Sequence, residues 1–197
     1  MMNTIRGIAI LGMNGSGKST LAHMLAKETG YLEMDAEDYY FPEQRPSRLS
    51  ALEHNDSSGS VAAPFSTPRS REEVQAAILT DIRLHPKFIL TAVTANWDEE
   101  ICAYIDIAFL LRAPVGIRMK RIEAREQQRF GERVLPGGDM FESQAQFRDY
   151  AAKRDPACAE ESAKRLSCPV IFIDGTLSPD RILIKMLEYL AEAKSHI

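Results

Sequence analysis

The chain has 197 residues, 45% of them hydrophobic and 26% charged, with a formal net charge of −4. That composition suits one globular domain with a well-buried core, and its mild acidity argues against a general nucleic-acid binder, which would usually be basic. Cys102, Cys158 and Cys168 show no metal-ligand spacing and cannot all pair, the N-terminus lacks a signal-peptide pattern, and no apolar stretch approaches the ~20 residues that span a bilayer; the expectation is a cytoplasmic protein with no membrane or nucleic-acid partner.

Gly7 to Leu11 is a short apolar run that reads as a buried strand. Gly12-Met13-Asn14-Gly15-Ser16-Gly17-Lys18-Ser19-Thr20 follows, and from Thr20 to Lys27 apolar residues recur at helical spacing. A strand, a glycine-rich turn ending in Lys-Ser, and a helix together make a phosphate-binding loop. Glycines let backbone N–H groups approach phosphate oxygens, and the helix N-terminus favours an anion. Gly12, Asn14, Gly15, Ser16, Gly17, Lys18, Ser19 and Thr20 are therefore candidate nucleotide-binding residues. Lys18 supplies charge to the β- and γ-phosphates, and the Ser19 hydroxyl is placed to ligate Mg²⁺.

Thr29-Gly30 looks like a helix stop, and Tyr31 to Met34 is a weak second strand. It ends in an acidic cluster, Asp35, Glu37 and Asp38, followed by Tyr39 and Tyr40. In an open parallel sheet, ligands lie at the carboxyl ends of strands. These acids would hold Mg²⁺ or take a proton from an attacking hydroxyl, or else form a solvated turn. Phe41 to Arg71, with four prolines, has no clean periodicity and is too long for an ordinary connection. It reads as a substrate segment, or as partly disordered. Arg69 and Arg71 open the helix of Glu72 to Leu79, where they would clamp an anion or stay solvated.

Lys87 to Val93 is the third strand candidate, with Thr94, Asn96 and Trp97 after it. Trp97 would either stack on a ligand or pack in the core. Ile105 to Leu111 is the fourth. A basic helix carries Arg118, Arg121, Arg125 and Arg129, and Arg133 comes after Gly131. Arg121, Arg125 and Arg129 share a helical face, and so many guanidiniums together repel unless an anion answers them. Leu135 to Met140 is a turn with hinge-like glycines, and a helix begins at Phe141. Asp155-Pro156 breaks the chain before a helix from Ala157 to Leu166. Pro169 to Asp174 is the fifth strand, Gly175-Thr176 turns it, and a final helix follows with Ser178 or Asp180 as cap. Alternating strands and helices give one doubly wound α/β domain.

These motifs resemble P-loop kinases of the nucleoside-monophosphate-kinase-like group, which includes adenylate, shikimate and gluconate kinases. The resemblance implies a three-layer α/β/α fold with a five-stranded parallel sheet of order 2-3-1-4-5. It further implies a substrate-binding insert over about residues 38–75 and a lid over about 121–140 within the single domain. Asp35 and Glu37 match the Asp-x-Asp that serves Mg²⁺ and the acceptor hydroxyl in shikimate kinases, although the second acid here is Glu. Arg121-Ile122-Glu123-Ala124-Arg125 is similar to the lid opening of adenylate kinases. That match sets Arg121 near adenine and Arg125 near the phosphates, with Arg129 and Arg133 as lid arginines. Asp174-Gly175-Thr176 resembles the loop that borders adenine. Asp174 could alternatively be the Mg²⁺-holding acid of an ATPase.

The implied activity is transfer of the γ-phosphoryl of Mg·ATP to a hydroxyl or phosphate of a small metabolite. In that reading Lys18, Asp35, Arg125 and Arg129 are catalytic, Ser19 and Asp35 hold metal, and Glu37, Asp38, Arg69, Arg71 and Arg133 contact the acceptor. Nucleosides, nucleotides, sugars and polyols all stay open, as does the oligomeric state. The rival reading is a P-loop ATPase or nucleotide switch acting through a macromolecular partner. No Asn-Lys-x-Asp guanine signature is present.

Overall fold

A computed structural model of the chain describes residues 5–53 and 68–195. Five strands form one parallel sheet: β1 (Gly7–Gly12), β2 (Leu32–Asp35), β3 (Phe88–Ala92), β4 (Ile105–Arg112) and β5 (Val170–Asp174). Their spatial order is β2-β3-β1-β4-β5, as the sequence resemblance implies. β1 is central, with Ile8 opposite Ile89 of β3 and Ile107 of β4. All six residues of β1 are buried, because helices cover both faces and leave no wet side for polar residues.

Alternation along the strands divides the core into two layers. Ala9 and Leu11 of β1, with Ala108 and Leu110 of β4, face α4 (Arg71–Leu84) and α8 (Ala157–Ala163). There they meet Val74, Ile78, Ile82, Ala159 and Ala163. Ile8 and Ile10, with Ile107 and Phe109, face α1 (Lys18–Thr29) and α9 (Pro179–Ser195), where they meet Leu21, Leu25, Ile182 and Met186. Gly30 ends α1 in the left-handed region and its N–H donates to the Ala26 carbonyl at 2.8 Å, so the helix stop lies where the sequence marks it.

After β2 comes the short helix α2 (Ala36–Tyr40). The stretch from Phe41, aperiodic in sequence, begins with a 3₁₀ turn over Pro42–Gln44 and then α3 (Arg45–Glu53). Its prolines conceal the helix, yet Pro46 sits in the first turn, where no intrahelical N–H is needed. The rest of that expected substrate segment, up to 67, lies outside the described residues. A capping box on Ser70 and Glu73 starts α4, and α5 (Glu99–Cys102) follows β3. The basic helix is α6 (Val115–Phe130). A 3₁₀ turn over Gly131–Val134 leads from it towards α7 (Phe141–Lys153). Phe130, Val134 and Met140 form a small core inside this hairpin, and an Arg148–Glu126 ion pair joins its two helices. Among the described residues no helix is long and apolar enough to cross a membrane.

Candidate active site

The turn after β1 is shaped by what it packs on. The Ser16 N–H donates to the Met13 carbonyl at 3.1 Å, and Gly15 has φ 78°. A Cβ at Gly15 would stand 2.4 Å from the carbonyl oxygen of Arg118. Arg118 is itself 2% exposed. Its Nη1 donates to the carbonyls of Asn14 at 3.1 Å and Ala151 at 3.3 Å, so α6 and the end of α7 brace the turn from beneath. Gly15→Ala should therefore cost about 1–3 kcal/mol from left-handed strain, and it should displace the turn as well. The expected result is a lower melting temperature together with loss of the further rise that ATP gives the parent protein; an unchanged ATP-dependent rise would mean that the turn does not hold the nucleotide.

The turn fits a polyphosphate. Gly17, at φ 103°, stands at the start of α1 with no side-chain cap, so the first amides of the helix are available to an anion. Asn14 Oδ1 and Ser16 Oγ are buried and have no hydrogen-bond partner among the described residues. Lys18 Nζ donates to the Met13 carbonyl at 3.1 Å. Its pKa is lowered to about 8, chiefly by burial, with Asp35 and Glu37 opposing the shift and Arg125 and Arg154 adding to it.

Ser19 Oγ donates to Asp35 Oδ2 at 2.6 Å. Asp35 Oδ1 accepts the Glu37 N–H at 3.1 Å and so caps α2. A serine hydroxyl and a carboxylate side by side at a phosphate loop are hard oxygen donors suited to Mg²⁺. Glu37 lies next to this pair. Part of its surface faces solvent, but its carboxyl pKa is raised, first by desolvation and then by the Asp35 charge, against the pull of Arg125, Lys18 and Arg129.

These groups open into one cavity of about 860 Å³, at the carboxyl ends of the strands. Asn14, Gly15, Ser16, Gly17, Lys18, Ser19, Thr20, Asp35 and Glu37 line it, and so do Arg121, Arg125 and Arg129 of α6. Arg121 Nη1 bridges the carbonyls of Ser16 at 3.3 Å and Gly175 at 2.8 Å, tying the phosphate loop to the turn after β5. Arg121, Arg125 and Arg129 thus share one face of α6, as the helical spacing predicts, and that face borders the cavity.

Other expected site residues lie elsewhere. Asp38 does not line the cavity. It is 7% exposed and takes Arg48 Nε on both oxygens at 3.0 Å and Nη2 at 2.6 Å. Arg48 Nη1 also donates to Glu33 at 2.6 Å, whose other oxygen lies 2.9 Å from His23 Nδ1. Burial makes Asp38 an anchor for α3. Arg69 is exposed outside the cavity. Arg71, on the first turn of α4, reaches the Asn96 carbonyl at 3.2 Å and lies 3.7 Å from Asp98. Arg133 pairs with Asp139 at 2.7 Å on the surface of the hairpin. Arg71 and Arg133 each meet a partner near their own helix end, which a row of charges in sequence cannot reveal.

Past β5, Asp174 accepts the N–H and the hydroxyl of Thr176 at 2.9 and 2.7 Å. These two line a smaller cavity of about 440 Å³. Gly175 touches the main site through its carbonyl, and Leu177, Pro179 and Ile182 face the main cavity in place of Asp174 and Thr176. Trp97 packs in the core, 5% exposed, and one edge of it lines the cavity. The polar lining residues Arg48, Gln75, Gln128 and Arg154 escaped the sequence reading. Arg154 carried a signal, being a base at the end of the hairpin's returning helix, next to the Asp155-Pro156 break.

A family model described as an AAA domain matches residues 8–145. A Bacillus subtilis (strain 168) protein described as uncharacterized protein YqaC is 28% identical, over 94% of this chain and 98% of its own length. Among solved structures, a gluconokinase from Sinorhizobium meliloti 1021 has a TM-score of 0.56 at 15% identity, covering 98% of this chain and 95% of that one. Deoxyadenosine kinase from M. mycoides has a TM-score of 0.52 at 18% identity, covering 94% and 99%. Shikimate kinase from Acinetobacter baumannii has 0.52 at 15%, covering 98% and 97%. At these identities the likeness is one of fold.

Proposed function

The chain belongs to the AAA-domain family and has the fold of P-loop kinases, and from that premise we propose that it transfers the γ-phosphoryl of ATP to a small metabolite. One observation carries the reading. Lys18, the Ser19–Asp35 pair, Glu37, Arg125, Arg129 and Arg154 all line a single cavity that continues past Asp35 between α2, α3 and α4. A nucleotide switch needs the phosphate loop but has no use for a second chamber of that kind.

Phosphoryl transfer asks little covalent help of a protein; it needs in-line placement and neutralisation of spread charge. The amides of the turn and Lys18 hold the β- and γ-phosphates. Ser19 and Asp35 would hold Mg²⁺, which supplies positive charge to the phosphate oxygens. Arg125, Arg129 and Arg154 answer charge on the transferred group and displace water from it. When the acceptor is a hydroxyl, its oxygen bonds to the γ-phosphorus while the bond from phosphorus to the β–γ bridging oxygen breaks. The electron pair leaves with ADP. Asp35 is given to Ser19 and the metal in this reading, and the hydroxyl proton goes to the Glu37 carboxylate, which lines the same cavity.

The decisive assay is ADP release from Mg·ATP across nucleosides, nucleotides, sugars and polyols. Release that depends on one of these acceptors is the expected outcome. Release that ignores all of them and rises with a macromolecule would replace this reading with the switch. Glu37→Gln should lower kcat by about 10²-fold, the usual worth of a positioned base, with ATP affinity kept. Since Glu37 acts deprotonated and its pKa is raised, kcat should fall on acidification at a higher pH than an ordinary glutamate would set. A variant that keeps the acid limb unchanged would remove Glu37 from that role.

A further inference from the structure

We propose that the acceptor is a nucleoside, an uncharged molecule with a flat ring and a free hydroxyl; this rests on the kinase reading above. The phosphate loop follows the central strand, so the cavity has two arms. The arm over β4 and β5 ends at Leu177, Pro179 and Ile182. The arm over β2 and β3 is bounded by α2, α3, α4 and the residues after β3.

The β2–β3 arm is largely apolar and aromatic. Val74 and Ile78 are 2% and 0% exposed and Trp97 is 5% exposed; Tyr40, Phe41 and Leu52 complete the wall. A polyol would bring several hydroxyls to this wall and leave most of them unpaired at a cost in desolvation. A flat ring instead buries its faces on such a surface and gains aromatic contact.

Charge narrows the choice further. Among the described residues, the cation lining this arm is Arg48, and its guanidinium is held by Asp38 and Glu33. Arg69 and Arg71 lie outside the lining. Arg125 and Arg154 bear on Lys18, and the charge of Arg129 is answered by Glu37 and Asp38. A monophosphate or a carboxylate buried in this arm would have to draw a cation away from those groups, whereas an uncharged ring leaves them as they stand.

The few polar groups match a heterocycle. Gln75 Oε1 accepts the Asp98 N–H at 2.5 Å, which leaves the Gln75 amide NH₂ to donate to a ring acceptor. Thr94 and Asn96 line the same arm, and Glu37 stands between it and the phosphate loop.

Two measurements test the proposal. In the ADP-release assay, ribo- or deoxyribonucleosides should exceed their 5′-monophosphates, gluconate and shikimate in kcat/KM by about 10²-fold or more, because a site built to pair one set of groups rejects analogues that leave charge unpaired. Gln75→Glu keeps the acceptor for Asp98 and loses the donors; it should raise the nucleoside KM about tenfold with kcat little changed. Trp97 is the sole tryptophan, so its fluorescence, read with a non-hydrolysable ATP analogue bound, should be quenched saturably by nucleosides and not by gluconate. Turnover of monophosphates or sugar acids in preference to nucleosides would overturn the acceptor and leave the kinase standing. Saturable quenching without turnover of any acceptor would keep the nucleoside site and overturn the kinase. Failure of every nucleoside to quench Trp97 would overturn the proposal outright.

Discussion

Replacing Lys18 with alanine should lower phosphoryl transfer on the order of 10³-fold or more, the scale seen when a fixed positive group is taken from a developing phosphoryl charge. The same change should leave the fold intact. In the folded chain the Lys18 pKa lies at about 8, below its ordinary 10.5. The unfolded chain therefore binds more protons between those values, so this group's contribution to stability rises as pH climbs from about 8 to 10.5. Below 8 the full cost of desolvating the ammonium is present, and alanine removes it. At neutral pH the variant should melt at or above the temperature of the parent, although the hydrogen bond to the Met13 carbonyl is lost. A triphosphate favours the charged amine, so at pH 8 ATP binding should draw in about half a proton. Calorimetry in buffers of different ionisation enthalpy measures this uptake, which should vanish in Lys18→Ala. Retained turnover, or an uptake that survives the substitution, would remove Lys18 from the phosphates.

Arg125→Ala should lower kcat by on the order of 10³-fold, as for other arginines that act on the transferred group, while ATP affinity falls far less. Arg125 is exposed on α6 and lines the cavity, so its loss removes no packing and the melting temperature should hold. It also lowers the Lys18 pKa through space, so in the variant the Lys18 titration should move up from about 8. A structural role would give neither the kcat loss at constant stability nor the displaced titration. Equal losses in ATP affinity and kcat would make Arg125 a uniform binding group.

Much of this was readable before any coordinates. Residues 7–20 are contiguous, and each answers one local demand: a buried strand, a turn that admits backbone to an anion, and a helix start. Apolar runs separated by helical periodicity gave the five strands, and the resemblance supplied their order. The arginine face of α6 followed from spacing alone. What stayed hidden was pairing across the chain. Nothing near Asp38 in sequence says that Arg48 will claim it, and nothing near Arg71 points to the Asn96 carbonyl. Pro42 and Pro46 made residues 41–53 look irregular, although a proline in a first turn interrupts nothing. Arg154 stands out in sequence only as a base beside the Asp155-Pro156 break, and its place at the cavity follows once α7 folds back on α6.

The suspension of α3 from one guanidinium has an evolutionary consequence. Arg48 moors that segment to Asp38 and Glu33, apart from the phosphate loop that follows β1. Under the kinase proposal, descendants could exchange the side chains of α3, and hence their diet, behind a preserved mooring, with the groups assigned to the phosphoryl left untouched.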